Sequence, residues 1–216
     1  MKRVIAVMMA VVAFAGAARA QAEFDATLVS VNGDLVLKSD VLWNLALDPT
    51  VKVPEFWLPE IQERMQRTLV DQRLLLQEAA KLPATRATDE EVKAELVRLN
   101  EDFAALDDEY RLDKRMGHVG LTSAALDRIL RDRLQITKFV DFRFRSFVVV
   151  TEPEIVAYFD VEMRPKHPEL TEAAAAELLA KERAMIEAVL VEEKINNAID
   201  VYLEDARARA DIVELD

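Results

Sequence analysis

The sequence predicts a mainly α fold with a small β part, on three observations. Glycine is scarce, with Gly16, Gly33, Gly117 and Gly120 the only four in 216 residues, which excludes glycine-rich phosphate loops and most tight-turn all-β architectures. The stretch Thr68–Lys81, TLVDQRLLLQEAAK, sets three consecutive leucines among strong helix formers. At roughly 100° per residue, Leu74, Leu75 and Leu76 sweep roughly 200° of a helix, so other segments must cover it on more than one side. Finally, Leu28–Val31 and Leu35–Leu37 flank Asn32-Gly33, the dipeptide best suited to the two positive φ angles of a type I′ hairpin turn.

The chain opens with MKRVIAVMMAVVAFAGAARA: Lys2 and Arg3, an apolar run from Val4 to Ala18, then the small-x-small end Ala18-Arg19-Ala20. That order predicts a cleavable secretory signal peptide over residues 1–20, too short to span a bilayer, and a soluble mature chain outside the inner membrane. Removing Lys2, Arg3 and Arg19 turns 28 basic side chains into 25 against 40 acidic ones, a net charge of −15. Such a surface repels nucleic acid and anionic lipid. There is no cysteine, so neither a disulfide framework nor a thiolate metal site is available, and stability must come from burial.

After the hairpin, Ser39 is expected to cap a helix through Ala46, with Val41, Leu42 and Leu45 as its apolar side. The proline-rich, aromatic connection DPTVKVPEFWLPE follows, and Pro59 suits the first turn of a helix from about Leu58 to Leu82. Pro83 stops it, and Thr88 with Glu91 forms a capping box for a helix from Asp89 to about Phe103. A short helix around Asp107–Met116, ended by Gly117, precedes one capped by Thr122 that runs from Ser123 to about Phe144. Val148–Val150 form an extended exit; Thr151, Pro153 and Glu154 then open a helix to about Val161. Thr171 caps a long amphipathic helix to about Arg209, and Asp211–Leu215 is predicted to add to the hairpin as a third strand, since a hairpin alone is marginal in water. Residues 21–216 are thus read as one domain, with a helical part over 26–160 and a helix (171–209) and strand (211–215) that pack back on it.

No residue pattern supports catalysis. His118 and His167 form no i, i+4 ligand pair, the serines include no GxSxG elbow, and the acidic clusters at 89–91 and 107–109 complement helix N-termini. No cofactor or metal is expected. The aromatic residues admit two readings. In FVDFRFRSF, Phe139, Phe142, Phe144 and Phe147 cannot share one helical face; they either seal the helix end against the core or leave an apolar surface that receives extended polypeptide.

Taken in order, VNGDLVLKSDV, LVDQRLLLQEAAKL, ATDEEVKAELVRL, GLTSAALDRILRDRLQITKFV and VVVTEPEIVAYF resemble the N-terminal domain of the SurA family of periplasmic chaperones over about Ala26–Asp160. The end, KINNAIDVYLEDARARADIVEL, is similar to the helix and strand that in that family return to the N-terminal domain. The resemblance implies a helical core in the periplasm with a groove for unfolded outer-membrane protein segments. In that family one or two parvulin-type isomerase domains separate the two parts, and the ten residues Val161–Leu170 cannot hold one. The expectation is therefore a non-enzymatic, ATP-independent holdase; the alternative is a dedicated assembly subunit pairing with one partner, or with itself, through the long C-terminal helix. Trp43, Phe56, Trp57 and Met65 are the candidate peptide-binding residues, where the proline-rich connection meets the leucine helix. Core packing is the competing role for Trp43 and Met65.

Overall fold

Two positive φ angles, 53° at Asn32 and 90° at Gly33, reverse the chain between β1 (Thr27–Val31) and β2 (Asp34–Leu37), the conformation that Asn-Gly tolerates best. The structure is a computed structural model that describes residues 25–215; the leader expected over residues 1–20 lies outside the described residues. The last strand, β3 (Ile212–Glu214), pairs antiparallel with β1, giving the sheet order β2-β1-β3. The hairpin and the end of the chain are thus one sheet, as the sequence predicts. Asn32 ties the assembly together. Its backbone N–H donates to Asp211 O (2.8 Å), its Oδ1 accepts from the Asp211 N–H (2.8 Å), and its Nδ2 donates to Gln77 Oε1 (2.8 Å). Gln77 in turn donates to Val31 O and Asp34 Oδ2.

The described residues form seven α-helices: α1 (Lys38–Ala46), α2 (Pro59–Ala80), α3 (Asp89–Ala104), α4 (Leu112–His118), α5 (Ser123–Arg143), α6 (Glu152–Tyr158) and α7 (Glu172–Arg209). The molecule is mainly α with a small antiparallel sheet. Thr88, Thr122 and Thr171 each accept a hydrogen bond from the backbone N–H three residues on, and Glu91 and Glu154 complete capping boxes. Such caps satisfy orphan donors of the first turn.

Three expectations at element ends need correction. Ser39 does not cap α1: the helix starts at Lys38, Asp40 accepts from the Leu37 N–H (3.1 Å), and Ser39 Oγ is buried with no hydrogen-bond partner among the described residues. α2 ends at Ala80, before Leu82, because Lys81 and Leu82 donate to Glu78 and Ala79 in a tightened last turn and the Thr85 hydroxyl reaches Ala79 O and Leu82 O. The short helix begins at Leu112 and runs through Gly117. Its end is set by Gly120, whose φ of 63° allows the Leu121 N–H to reach back to Met116 O.

α2 lies at the centre. Leu69, Leu74, Leu75 and Ala79 are buried and Leu76 is half-buried. The inner face of the sheet (Val29, Val31, Val36) covers one side of the helix, with Val41 and Leu45 of α1, Phe139 of α5, and Ile195 and Leu203 of α7 completing the same core. Burying each such aliphatic side chain contributes about 1.5–3 kcal/mol. A second core joins α3, α4 and α5 through Val92, Leu99, Phe103, Leu112, Leu126 and Leu130. A third is local: Ile155 and Phe159 of the α6 segment pack on Ala175 and Ile186 of α7. Beyond Tyr158 the chain continues as a wider π turn (Phe159–Met163) and a 3-10 turn (Arg164–Lys166) before Thr171, a connection with no room for an inserted domain. α7 is about 57 Å long at ~1.5 Å per residue, so its first half holds α6 while its second half closes the main core.

Candidate functional site

The connection from α1 to α2 carries two prolines, Pro49 and Pro54, and no long apolar run, so it needs side chains from elsewhere to hold it. Arg115, on α4 and 1% exposed, supplies them. Its guanidinium donates to the carbonyls of Leu45 (3.0 Å), Ala46 (2.7 Å), Asp48 (2.5 Å) and Val51 (2.9 Å). The cation lies between two rings, 4.9 Å from the Phe56 centroid and 5.1 Å from that of Phe103, within cation–π range. Burial pushes its pKa down, but a guanidinium keeps its charge at any physiological pH.

This arrangement sorts the four candidate residues. Phe56 is fully buried beneath Arg115, which corrects its assignment to a binding surface: no client reaches the ring without opening the core. Trp43 is half-buried in the second core and donates its indole N–H to Val119 O (3.1 Å), and Met65 is half-buried against the main core. Trp57 alone of the four is well exposed, at 54%, with Leu58 beside it at 40%. The proline break sends adjacent residues in opposite directions: Phe56 into the core and Trp57 to solvent.

The aromatic residues of FVDFRFRSF divide between core and surface. Phe139 and Phe144 are buried and form an edge-to-face cluster with Tyr202 of α7, with centroids 6.1 Å apart for Phe139–Phe144 and 5.6 Å for Phe144–Tyr202. Burial pushes the Tyr202 pKa up. Phe142 and Phe147 are 60% and 75% exposed, and Val149 follows at 71%. Phe142 borders a shallow, strongly apolar depression of about 170 Å³ floored by Leu82, Pro83 and Ala84, with Lys138 at its rim. The backbone that presents these residues is anchored: Arg145 pairs with Asp141 (2.8 Å) and Glu192 (2.6 Å), and Lys194 binds Val149 O (2.8 Å) and Glu154 (2.6 Å). Hydrogen bonds from Lys194 and from Thr151 lower the Glu154 pKa to about 2.

Trp57 and the Phe142 depression lie beyond opposite ends of α2, about 33 Å apart along the helix at ~1.5 Å per residue. An extended chain of roughly ten residues covers that distance. Between α1, α2 and α5 runs a polar crevice of about 40 Å³ lined by Asp40, Asn44, Arg73, Arg128, Asp132 and Arg133. It has space for water and no larger ligand. Arg73 approaches Asp40 at 3.5 Å, Arg133 donates to Asn44 Oδ1 at 2.9 Å, and burial raises the Asp132 pKa. Among the described residues, no group of three or more His, Cys, Asp or Glu side chains converges, and no helix is long and apolar enough to cross a membrane.

The exposed aromatics at 142 and 147 were one of two open possibilities in the sequence, whereas Arg115 gave no signal beyond being one more charge in a polar stretch. No protein-family model matches the chain, and no curated protein matches it.

Proposed function

We propose that this protein is an ATP-independent holdase of the periplasm that binds exposed apolar stretches of unfolded exported polypeptides, outer-membrane β-barrel precursors among them. The observation that carries the reading is the set of exposed aromatic side chains: Trp57 before α2, Phe142 beside the residues that follow α2, and Phe147 on the anchored turn after α5. Contiguous exposed apolar surface favours an interaction role, and exposed Phe142, Phe147 and Val149 within eight residues of one another on an anchored backbone support it here. The acidic charge keeps such a molecule soluble while those side chains stay uncovered. Binding is weak and reversible, because the extended client loses conformational entropy that offsets much of the apolar gain. The resemblance to the SurA family points to the same class of client, and the short 159–171 connection suits a chaperone core that carries no isomerase domain.

The alternative, a dedicated subunit pairing through α7, has less support. The exposed large apolar side chains of α7 are Met185 and Val201, too far apart for a continuous helix–helix seam, which needs apolar residues every three to four positions.

Photo-crosslinking tests the proposal. A benzophenone side chain placed at 57, 142 or 147 is expected to capture an unfolded β-barrel protein, and one at exposed Glu101 is not. Equal labelling at all four positions would contradict the assignment.

A further inference from the structure

We infer that the free edge of β3 is a strand-addition site for an extended polypeptide segment that alternates apolar and basic residues. This inference rests on the proposed holdase reading and names how one part of a client is held. The Leu215 N–H donates to Leu28 O and the Asn32 N–H to Asp211 O, and Val213 pairs with Ser30. Residues 211, 213 and 215 therefore spend their backbone groups on β1. By the alternation of an antiparallel ladder, the N–H and C=O of Ile212 and Glu214 point outward, with no strand beyond them among the described residues.

The opposite edge is less open. On β2 the Leu37 N–H, one of the outward groups, is already taken by Asp40 Oδ2 at 3.1 Å. Beside β3 a groove accompanies the edge. It measures about 370 Å³ and lies between the strand and α2, bordered by Ile212 and Glu214 on one side and Gln66, Arg67 and Val70 on the other, with Val29 at its inner end. That volume is in the range of about 300–1,000 Å³ typical of ligand pockets. A fourth strand would complete the backbone ladder while alternate side chains enter the groove and the rest face solvent, which is the geometry of β-augmentation.

Charge selects the occupant. The arginines of the groove are already neutralised, Arg67 by Glu63 (2.7 Å) and Arg207 by both carboxylate oxygens of Asp71 (2.7 Å each). Asp211 and Glu214 have no ion-pair partner among the described residues and leave the edge acidic. Acidic residues on a short edge discourage pairing with a second copy of the same edge, and the same charges attract a strand carrying lysine or arginine.

The test is a titration of the protein with an acetylated, amidated nonapeptide of alternating valine and lysine. The controls are the same peptide N-methylated on every second residue along one edge, and a valine–glutamate counterpart. The inference expects either control to bind at least tenfold more weakly at low salt. It also expects exchange of the Ile212 and Glu214 amide protons to slow at least tenfold on saturation with the lysine peptide. Glu214→Pro, which removes an outward donor and leaves those facing β1, and Gln66→Trp, which fills the groove from α2, should each weaken binding at least tenfold. Gln66→Trp keeps the test decisive should the proline variant fail to fold. Equal affinity for the N-methylated peptide, unchanged exchange at 212 and 214, or absence of binding would overturn the edge site. Aggregation assays with the Gln66→Trp variant separate the two ideas: suppression that persists leaves the holdase reading standing without this site.

Discussion

Replacing Arg115 by methionine keeps most of the side-chain volume and removes the guanidinium that four carbonyls and two rings share. Each buried carbonyl left without a donor costs about 1–3 kcal/mol, and the lost stacking about 0.5–2 kcal/mol. Two effects offset part of this: the desolvation penalty of the buried cation disappears, and water reaches some of the carbonyls as the 47–54 loop loosens. The net loss is on the order of 3–5 kcal/mol, a large share of the roughly 5–15 kcal/mol that holds a domain folded. At about 2–4 °C per kcal/mol for a chain of this size, the melting temperature falls by about 6–20 °C. Urea unfolding followed by tryptophan fluorescence measures the loss. Arg115→Lys should recover only part of it, since an ammonium cannot present the planar fork. Limited proteolysis should show new cleavage within 48–55 in the methionine variant. A loss below 1 kcal/mol with an unchanged proteolysis pattern would refute the view that Arg115 holds the connection in place.

Three further outcomes follow from the same structure. Burial raises the Asp132 pKa above its unfolded value, so its stabilising contribution is present in acid and lost as pH rises; Asp132→Asn should raise the melting temperature at pH 7 and leave it unchanged near pH 3, as paired thermal melts would reveal. Glu154 has the opposite sign: with its pKa lowered to about 2, it supports α6 above the unfolded carboxylate value of about 4.3 and loses that effect as pH falls through about 2. Glu154→Gln should flatten this acid limb, read by hydrogen exchange of α6 amides between pH 5 and 2. Deleting residues 211–216 removes β3 and leaves a two-stranded hairpin, and should lower the melting temperature by several degrees; an unchanged melt would show that the returning strand carries no stability.

Most of the fold was legible because its signals are local. Asn32-Gly33 encodes its own turn, Thr88, Thr122 and Thr171 cap the helices they precede, and the breadth of the leucine arc in α2 requires cover on several sides. The third strand was legible for a different reason: a hairpin needs a partner, and Ile212–Leu215 was the remaining apolar run. Ser39 misled because cap preference is a property of residue type, while the competing carboxylate of Asp40 sat one position on and reached the same end of the helix. The site was harder to read. Whether Phe56 or Trp57 turns inward depends on Arg115, nearly sixty residues away in sequence, and no local pattern encodes that pairing. The free edge of β3 likewise follows from ladder register, which exists only once the strands have met.

On the proposed reading, exposed Trp57, Phe142 and Phe147 hold unfolded polypeptide. Light scattering of an unfolded outer-membrane β-barrel protein diluted from urea tests it most directly, with this protein in several-fold excess and no nucleotide present. The native chain should suppress aggregation, and the combined Trp57→Ser, Phe142→Ser, Phe147→Ser variant, folded by circular dichroism, should lose most of that activity. Scattering that rises equally with and without the native chain, or full suppression by the triple variant, would contradict it.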